Sequence, residues 1–277
     1  MKTNNEKQAK SKFKSPFVIG FLSVVIPVII ISLFLSNNEQ KNGEPITDVR
    51  SSFNAADLNL LNDEYISKPV DYSKLDEYSI ATIVFRSNNS DYEDISFVVK
   101  QQSEDEDLSR GADYFLNHNE DGSEGYPGQI FTESDTTQDF LGFNQFNTVI
   151  YGHNMKDGTG FGWIRKFVDD ESALNAYDYA YIYYTSGCVA RYKLACISTV
   201  SDENLTTYFN GFKTNIDSSD FVQYMYDNAT NVKVDVSEDL LNSNRHITLS
   251  TCLGDDTKRR ALLLEYDGSV FVDSVEN

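Results

Sequence analysis

Short runs rich in β-branched and aromatic residues recur along the chain from about residue 79 onward. The clearest are IATIVF (80–85), ISFVVK (95–100), NTVIYGH (147–153), YAYIYYTS (179–186), ARYKLACISTV (190–200), RHITLSTC (245–252) and RALLLEY (260–266). Clusters of glycine, asparagine and aspartate separate several of them, as is typical of turns between strands. Many short strands joined by turns favour a closed or nearly closed β-barrel.

Two other parts of the chain have helical patterns. The segment 218–229 (SSDFVQYMYDNA) lies between the runs that end near residue 200 and begin near residue 245, and Ser218 or Ser219 is a suitable N-cap. Further upstream, apolar residues recur at mostly three- and four-residue steps: Ile46, Val49, Phe53, Leu58, Leu61 and Tyr65. This spacing predicts one or two amphipathic helices. The predicted fold is mainly β, with N-terminal helices and a helix between the strand preceding and the strand carrying Cys252.

The N-terminal region carries a candidate membrane anchor. Residues 17–35 (FVIGFLSVVIPVIIISLFL) are nineteen residues without a charge, and a helix of that length just spans a hydrocarbon core of ~30 Å. Five lysines and one glutamate precede the run, whereas polar residues follow it. Because positive residues stay on the cytoplasmic side, we expect a single pass with the N-terminus inside. A buried core helix is the alternative.

These features predict four regions. They are a cytoplasmic basic tail (1–16), a transmembrane signal-anchor (17–36), a linker with the N-terminal helical segment (37–75) and an extracellular β-barrel domain (76–277). The expected location is therefore the cell membrane, with the barrel domain outside the cell.

The composition excludes several classes of protein. The net charge of −20 over 277 residues argues against a nucleic-acid binder. Hydrophobic residues make up 40% of the chain, enough for a packed core. Three cysteines are too few for a disulfide scaffold.

Cys252 is the cysteine best placed for chemistry. Side chains alternate along a strand, so Ile247 and Leu249 face one way and Cys252 faces the other way. Since the apolar pair belongs in the core, Cys252 lies on a polar face, which is unusual for a free cysteine. Cys188 and Cys196 lie in aromatic and aliphatic strand sequence and are predicted to be buried, with a bridge between them as a weaker alternative.

A histidine and two arginines complete a candidate set. His153 ends a strand and begins a glycine-rich turn, where a partly exposed ring suits acid–base catalysis. Arg259 and Arg260 follow Cys252 closely, and a guanidinium can favour a thiolate or hold an oxyanion. Together these residue types suit acyl transfer. The alternative is a buried cysteine, a turn histidine and two surface arginines.

Other candidate sites are weaker. His118 is predicted to lie at the surface, and His246 is predicted to be structural. The acidic run 103–107 is expected to be a solvated loop rather than a cation site. No second cysteine or histidine stands at ligand spacing, so no metal site is expected.

At these residues the chain resembles a sortase, and most of all a class B sortase. TLSTC (248–252) matches the TLxTC active-site motif of the family, and NTVIYGHNMKDGT (147–159) is similar to the class B segment around the catalytic histidine. Arg260, at the start of RALLLEY, matches the arginine that opens the next strand, with Arg259 as the one-residue alternative. The resemblance covers roughly residues 76–277.

The resemblance implies a role for each of these residues. Cys252 would be the nucleophile, His153 the general acid and base, and Arg260 the group that stabilises the oxyanion or the substrate. Ser250 and Thr251 would help to position the substrate. No cofactor is implied.

The resemblance also implies a reaction and partners. The enzyme would cleave a C-terminal sorting motif of secreted proteins after threonine, through a thioacyl-enzyme, and join them to an amine of a peptidoglycan precursor. Two alternatives stay open: a hydrolytic cysteine peptidase on the same residues, and a catalytically inactive, membrane-tethered binding protein.

Overall fold

The computed structural model describes residues 59–60, 62–139, 141–203, 218–242, 245–254 and 257–271. The predicted tail, membrane anchor and most of the N-terminal helical segment lie outside these residues. Within the described ranges, no helix has both the length and the apolar character that a membrane crossing requires.

The described residues form eleven strands and six helices. The strands are β1 (Ser79–Ser87), β2 (Ile95–Gln101), β3 (Phe131–Thr132), β4 (Gln138–Asp139), β5 (Gly142–Phe143), β6 (Asn147–Tyr151), β7 (Tyr177–Tyr184), β8 (Cys188–Ser201), β9 (Ala229–Val232), β10 (His246–Cys252) and β11 (Lys258–Phe271). The helices are α1 (Glu104–Arg110), α2 (Tyr114–Asn117), α3 (Ile164–Asp169), α4 (Glu171–Asn175), α5 (Ser218–Asp227) and α6 (Glu238–Asn242).

Eight of the strands close into a barrel. The hydrogen-bonded order is β11-β10-β6-β3-β2-β1-β7-β8, with β9 added beside β8, and β11 also pairs with β8 to close the ring. The β10–β6 and β2–β3 pairs are parallel, and the other barrel pairs are antiparallel. The predicted mainly-β closed barrel is confirmed. A helix, α5, is present in the predicted segment, with β9 and α6 between it and β10.

The barrel interior is filled by side chains from alternate strand positions. Ile83, Ile150, Leu249 and Leu262 are all fully buried in one cluster. A second cluster lies outside the barrel wall, where Phe221 and its neighbours on α5 cover the outer face of β8 and β11. The strand β11 is therefore buried on both faces, which explains its continuous apolar sequence.

The acidic run 103–107 forms the start of a helix and not the expected loop. Ser103 caps α1: its hydroxyl accepts a hydrogen bond from the Glu106 amide, and the Glu106 carboxylate accepts one from the Ser103 amide. Carboxylates in a first helical turn also interact favourably with the helix dipole. The acidic run is thus explained by local helix stability.

Residues 62–70 lie against the outside of the barrel and are anchored there by charge. Asp63 accepts a hydrogen bond from the Tyr181 hydroxyl at 2.7 Å and pairs with Arg191 at 2.8 Å. Arg191 also pairs with Asp267 on β11. These contacts tie the chain that precedes the barrel to the strands that close it.

Candidate active site

Three neighbouring strands bring the candidate residues to one face of the barrel. Cys252 on β10 lies opposite Arg259 on β11. Ser250 lies opposite Tyr151 on β6, so continuing that register by two residues places His153 level with Cys252. Because Leu249 faces the interior, Cys252 and its two cross-strand neighbours lie on the outer face.

Cys252 is a half-buried free thiol at the last position of β10. The Arg259 guanidinium donates a hydrogen bond from Nη1 to the sulfur at 3.1 Å. Arg259 is in turn paired through Nε with the Asp202 carboxylate at 2.9 Å. A cation in contact with a thiol favours the nucleophilic thiolate form in general, so this geometry suits covalent catalysis.

The arginine at the thiol is Arg259, whereas the sequence pattern had pointed to Arg260. Arg260 lies opposite Thr251, one position along, and its side chain therefore takes the other face of the strand. Its Nη1 is buried without a hydrogen-bond acceptor in the described part of the chain. Burial lowers the pKa of Arg260, with Asp169 opposing this effect. Of these two arginines, Arg259 contacts the sulfur, and which of them stabilises the oxyanion or the substrate stays a prediction.

His153 follows β6 and is half-buried under the segment that precedes β3. Its Nε2 lies 3.0 Å from the Leu116 carbonyl oxygen. Since a carbonyl only accepts, Nε2 carries the proton, which leaves Nδ1 for other partners. The Tyr126 ring packs on the imidazole with centroids 4.7 Å apart. Burial lowers the pKa of His153, and the Leu116 carbonyl partly opposes this shift.

Asn154 joins the histidine segment to the cysteine. Its Nδ2 donates to the Cys252 carbonyl oxygen at 2.8 Å. On the other side of the turn, the Phe161 amide donates to the His153 carbonyl oxygen at 2.7 Å. Gly160 has φ +57, and a Cβ there would lie 2.5 Å from the His153 oxygen, so this turn requires glycine. Asn154 was not predicted as a site residue, although it directly follows the candidate histidine.

Ser250 and Thr251, the predicted substrate-positioning residues, are both about 2% exposed. The Thr251 hydroxyl donates to the Gly152 carbonyl oxygen at 2.6 Å, and the Gly152 amide donates to the Ser250 carbonyl oxygen at 3.3 Å. In this structure the two residues join β10 to the segment that carries His153. A direct contact of either residue with substrate stays a prediction.

The remaining histidines and cysteines lie away from this constellation. His246 is buried, and burial lowers its pKa to about 4. His118 is half-buried and stacks on Tyr114, so it is less exposed than predicted. Cys188 and Cys196 are buried and are not joined by a disulfide, and burial raises the pKa of Cys196 to about 12. No group of metal-binding side chains occurs among the described residues.

The barrel and the position of its thiol define a sortase-like fold. A class B sortase of Streptococcus pyogenes that is involved in pilus biogenesis matches the structure with a TM-score of 0.52 at 16% identity, over 69% of this chain and 93% of that one. Sortase B of Clostridium perfringens matches with a TM-score of 0.49 at 21% identity, over 68% of this chain and 93% of that one.

The sequence comparison supports the same class. A sortase B of Listeria monocytogenes is 28% identical over 249 residues, which cover 84% of this chain and 90% of that protein. No protein-family model matches the chain. The resemblance to class B sortases is confirmed: this chain is similar to a sortase B over most of its length.

Proposed function

We propose that the protein cleaves a C-terminal sorting motif of secreted proteins after threonine and joins the threonine to an amine of a peptidoglycan precursor. The observation that carries this proposal is the row of His153, Cys252 and Arg259 on one face of three adjacent strands, with Arg259 on the sulfur at 3.1 Å. Such a row supplies an acid–base group, a nucleophile and a charge stabiliser.

In the first half of the reaction, the Cys252 sulfur attacks the threonine carbonyl carbon. The carbonyl electrons move to oxygen, and the Arg259 guanidinium stabilises the resulting oxyanion. When the tetrahedral intermediate collapses, the C–N bond breaks and His153, as imidazolium, gives a proton to the departing amine. The product is a thioester between Cys252 and the threonine.

In the second half, the acceptor amine attacks the thioester carbonyl. His153, now neutral, takes the proton from the attacking nitrogen, and the C–S bond breaks to release the thiolate. Arg259 serves the second oxyanion as it served the first, and takes the role that the resemblance had given to Arg260. No step needs a group from outside the chain and its two substrates.

The proposal includes the cell membrane as the site of action. The uncharged run 17–35 and the lysines before it support a single-pass anchor with the N-terminus in the cytoplasm. The catalytic domain would then lie outside, where secreted chains and lipid-linked precursors both pass. Its expected partners are proteins with a C-terminal sorting motif and the peptidoglycan precursor.

The test uses the full chain in detergent, as wild type, Cys252→Ala and His153→Ala. Each is incubated with quenched peptides of the NPQTN, NPxTG and LPxTG types, with and without a small primary amine. We expect the wild type alone to join the amine to the threonine end. Cleavage without joining would favour the peptidase alternative. No cleavage together with a Cys252 that resists alkylation would favour the inactive binding protein.

A further inference from the structure

The Arg259 guanidinium is held at two points. Nη1 donates to the Cys252 sulfur at 3.1 Å, and Nε pairs with Asp202 Oδ1 at 2.9 Å. The guanidinium is planar with its N–H groups in a rigid fork, so two contacts fix the orientation of the whole group. Its third nitrogen, Nη2, is thereby fixed relative to the sulfur as well.

The backbone presets the position of Asp202. It directly follows β8, in which Val200 pairs with Arg259 and Ser201 pairs with Lys258. The Asp202 amide donates to the Thr257 carbonyl oxygen at 3.0 Å, which ties it to the segment that enters β11. The carboxylate therefore reaches Arg259 from a strand that is already in register with it.

The charge of Asp202 also acts on Tyr151, on the outer face of the site. The pKa of Tyr151 is raised by burial first, then by Glu133, with smaller contributions from Asp202 and Asp135. The charged and titratable groups on the elements beside the thiol are Arg259 on β11, His153 after β6 and Asp202 after β8, and Glu133 accepts a hydrogen bond from the Tyr151 hydroxyl. A carboxylate beside Arg259 offsets part of the positive potential that the guanidinium exerts at the sulfur.

We infer that Asp202 is a positioning residue of the transpeptidase site, which orients the Arg259 guanidinium toward the thiol and the substrate oxygen. The inference rests on the proposed function. The Asp202 side chain is 47% exposed, and exposed ion pairs contribute little to stability. The effect of Asp202 therefore falls on catalysis and on the reactivity of the thiol, with little effect on folding.

Three variants of the full chain separate the geometry from the charge. Asp202→Asn keeps an oxygen acceptor for Nε but removes the charge, and Asp202→Ala removes both. Asp178→Asn is the matched control, because Asp178 pairs with Lys233 at 2.9 Å and is 51% exposed. Alkylation reports on Cys252, since Cys188 and Cys196 are buried.

The readouts are the pH dependence of Cys252 alkylation, and kcat and KM for peptide cleavage. We expect Asp202→Ala to lower kcat by about tenfold or more with a smaller change in KM, because Arg259 loses its orientation. Asp202→Asn should keep most of kcat. Asp202→Asn should shift alkylation to lower pH, because the guanidinium stays beside the sulfur without its counter-charge. Asp202→Ala should shift it less, because the guanidinium also loses its orientation toward the sulfur. Asp178→Asn should leave alkylation unchanged, and all melting temperatures should stay close to that of the wild type.

Two results would overturn the inference. One is an Asp202→Ala variant that behaves as Asp178→Asn does in both readouts. The other is a loss of activity explained by a smaller folded fraction, as counted by titration of the active thiol. The alkylation measurement needs no peptide substrate, so it still judges the role of Asp202 if the wild type proves not to be a transpeptidase.

Discussion

At the scale of single residues, Arg259 and Arg260 are expected to differ sharply although they are adjacent. Arg259→Ala removes the one guanidinium that contacts the Cys252 sulfur in the described part of the chain. Because loss of one oxyanion-stabilising donor typically costs ~10²–10³ in kcat, we expect a loss of that order. Arg260→Ala should have a much smaller effect. Peptide cleavage by the two variants, measured with equal amounts of titratable thiol, checks this order, and the reverse order would contradict the assignment of Arg259.

Also at the residue scale, the cover over His153 should set the pH dependence of cleavage. Burial lowers the pKa of His153, so the imidazolium is lost at lower pH than for a free histidine. Tyr126→Ala removes the ring that packs on the imidazole, and Tyr126 itself is 70% exposed, so folding should be unaffected. The pKa should rise toward its ordinary value, and the histidine-dependent limb of the kcat/KM profile should move to higher pH.

This shift is measured from about pH 5 to about pH 9, the range in which acid and base limbs appear. Leu108→Ala is the control, because Leu108 is 88% exposed and distant in sequence from the site. An unchanged profile for Tyr126→Ala would show that the ring does not contribute to the burial of His153.

At the scale of elements, the strands were predictable and their register was not. All seven β-rich runs form strands. They could be predicted because each run is long enough for its composition to indicate a strand. The strands β3, β4, β5 and β9 have two to four residues and carry too little pattern. The arginine was ambiguous for a physical reason: Leu262, Leu263 and Leu264 are all fully buried, so β11 has no alternation that assigns its faces.

The parallel pairing of β6 and β10 likewise depends on contacts that are distant in sequence. Asn154 donates to the Cys252 carbonyl oxygen from 98 residues away. Asn154→Ala loses this hydrogen bond, whose net contribution is about 0.5–1.5 kcal/mol. Asn154→Asp places a second acceptor against the carbonyl, so we expect a larger loss of kcat than for the alanine variant. Asn144→Asp is the control, since Asn144 is exposed and already acts as an acceptor. Equal losses for both Asn154 variants would contradict this role.

At the scale of the whole molecule, ion pairs join elements that are distant in sequence. Asp63, before the barrel, pairs with Arg191 on β8, and Arg191 pairs with Asp267 on β11. These groups are about one-tenth exposed, so removing Arg191 would leave the buried Asp63 carboxylate without its ion-pair partner, whereas Asp267 would keep Lys193. A buried titratable group of a different kind lies on β10, the strand that ends at Cys252: its first residue is His246.

The burial of His246 should make the stability of the whole protein depend on pH. Its pKa is lowered to about 4 in the folded state, whereas an unfolded histidine has a pKa of about 6.5. Between these two values the unfolded chain binds a proton that the folded chain does not bind. The free energy of unfolding should therefore fall as the pH drops through this window, by at most about 1.4 kcal/mol per pH unit from this group. Above the window, His246 contributes no pH dependence.

His246→Asn tests this expectation, because it removes the titrating ring and keeps a side-chain donor near the Phe146 carbonyl oxygen that faces Nδ1 at 3.2 Å. Urea unfolding is measured for wild type and variant at several pH values inside and above the window. The substitution leaves a constant loss of stability at every pH, so the slopes are compared and not the absolute values. We expect a shallower slope for the variant inside the window. Parallel slopes would show that His246 takes up its proton in the folded barrel as readily as in the unfolded chain.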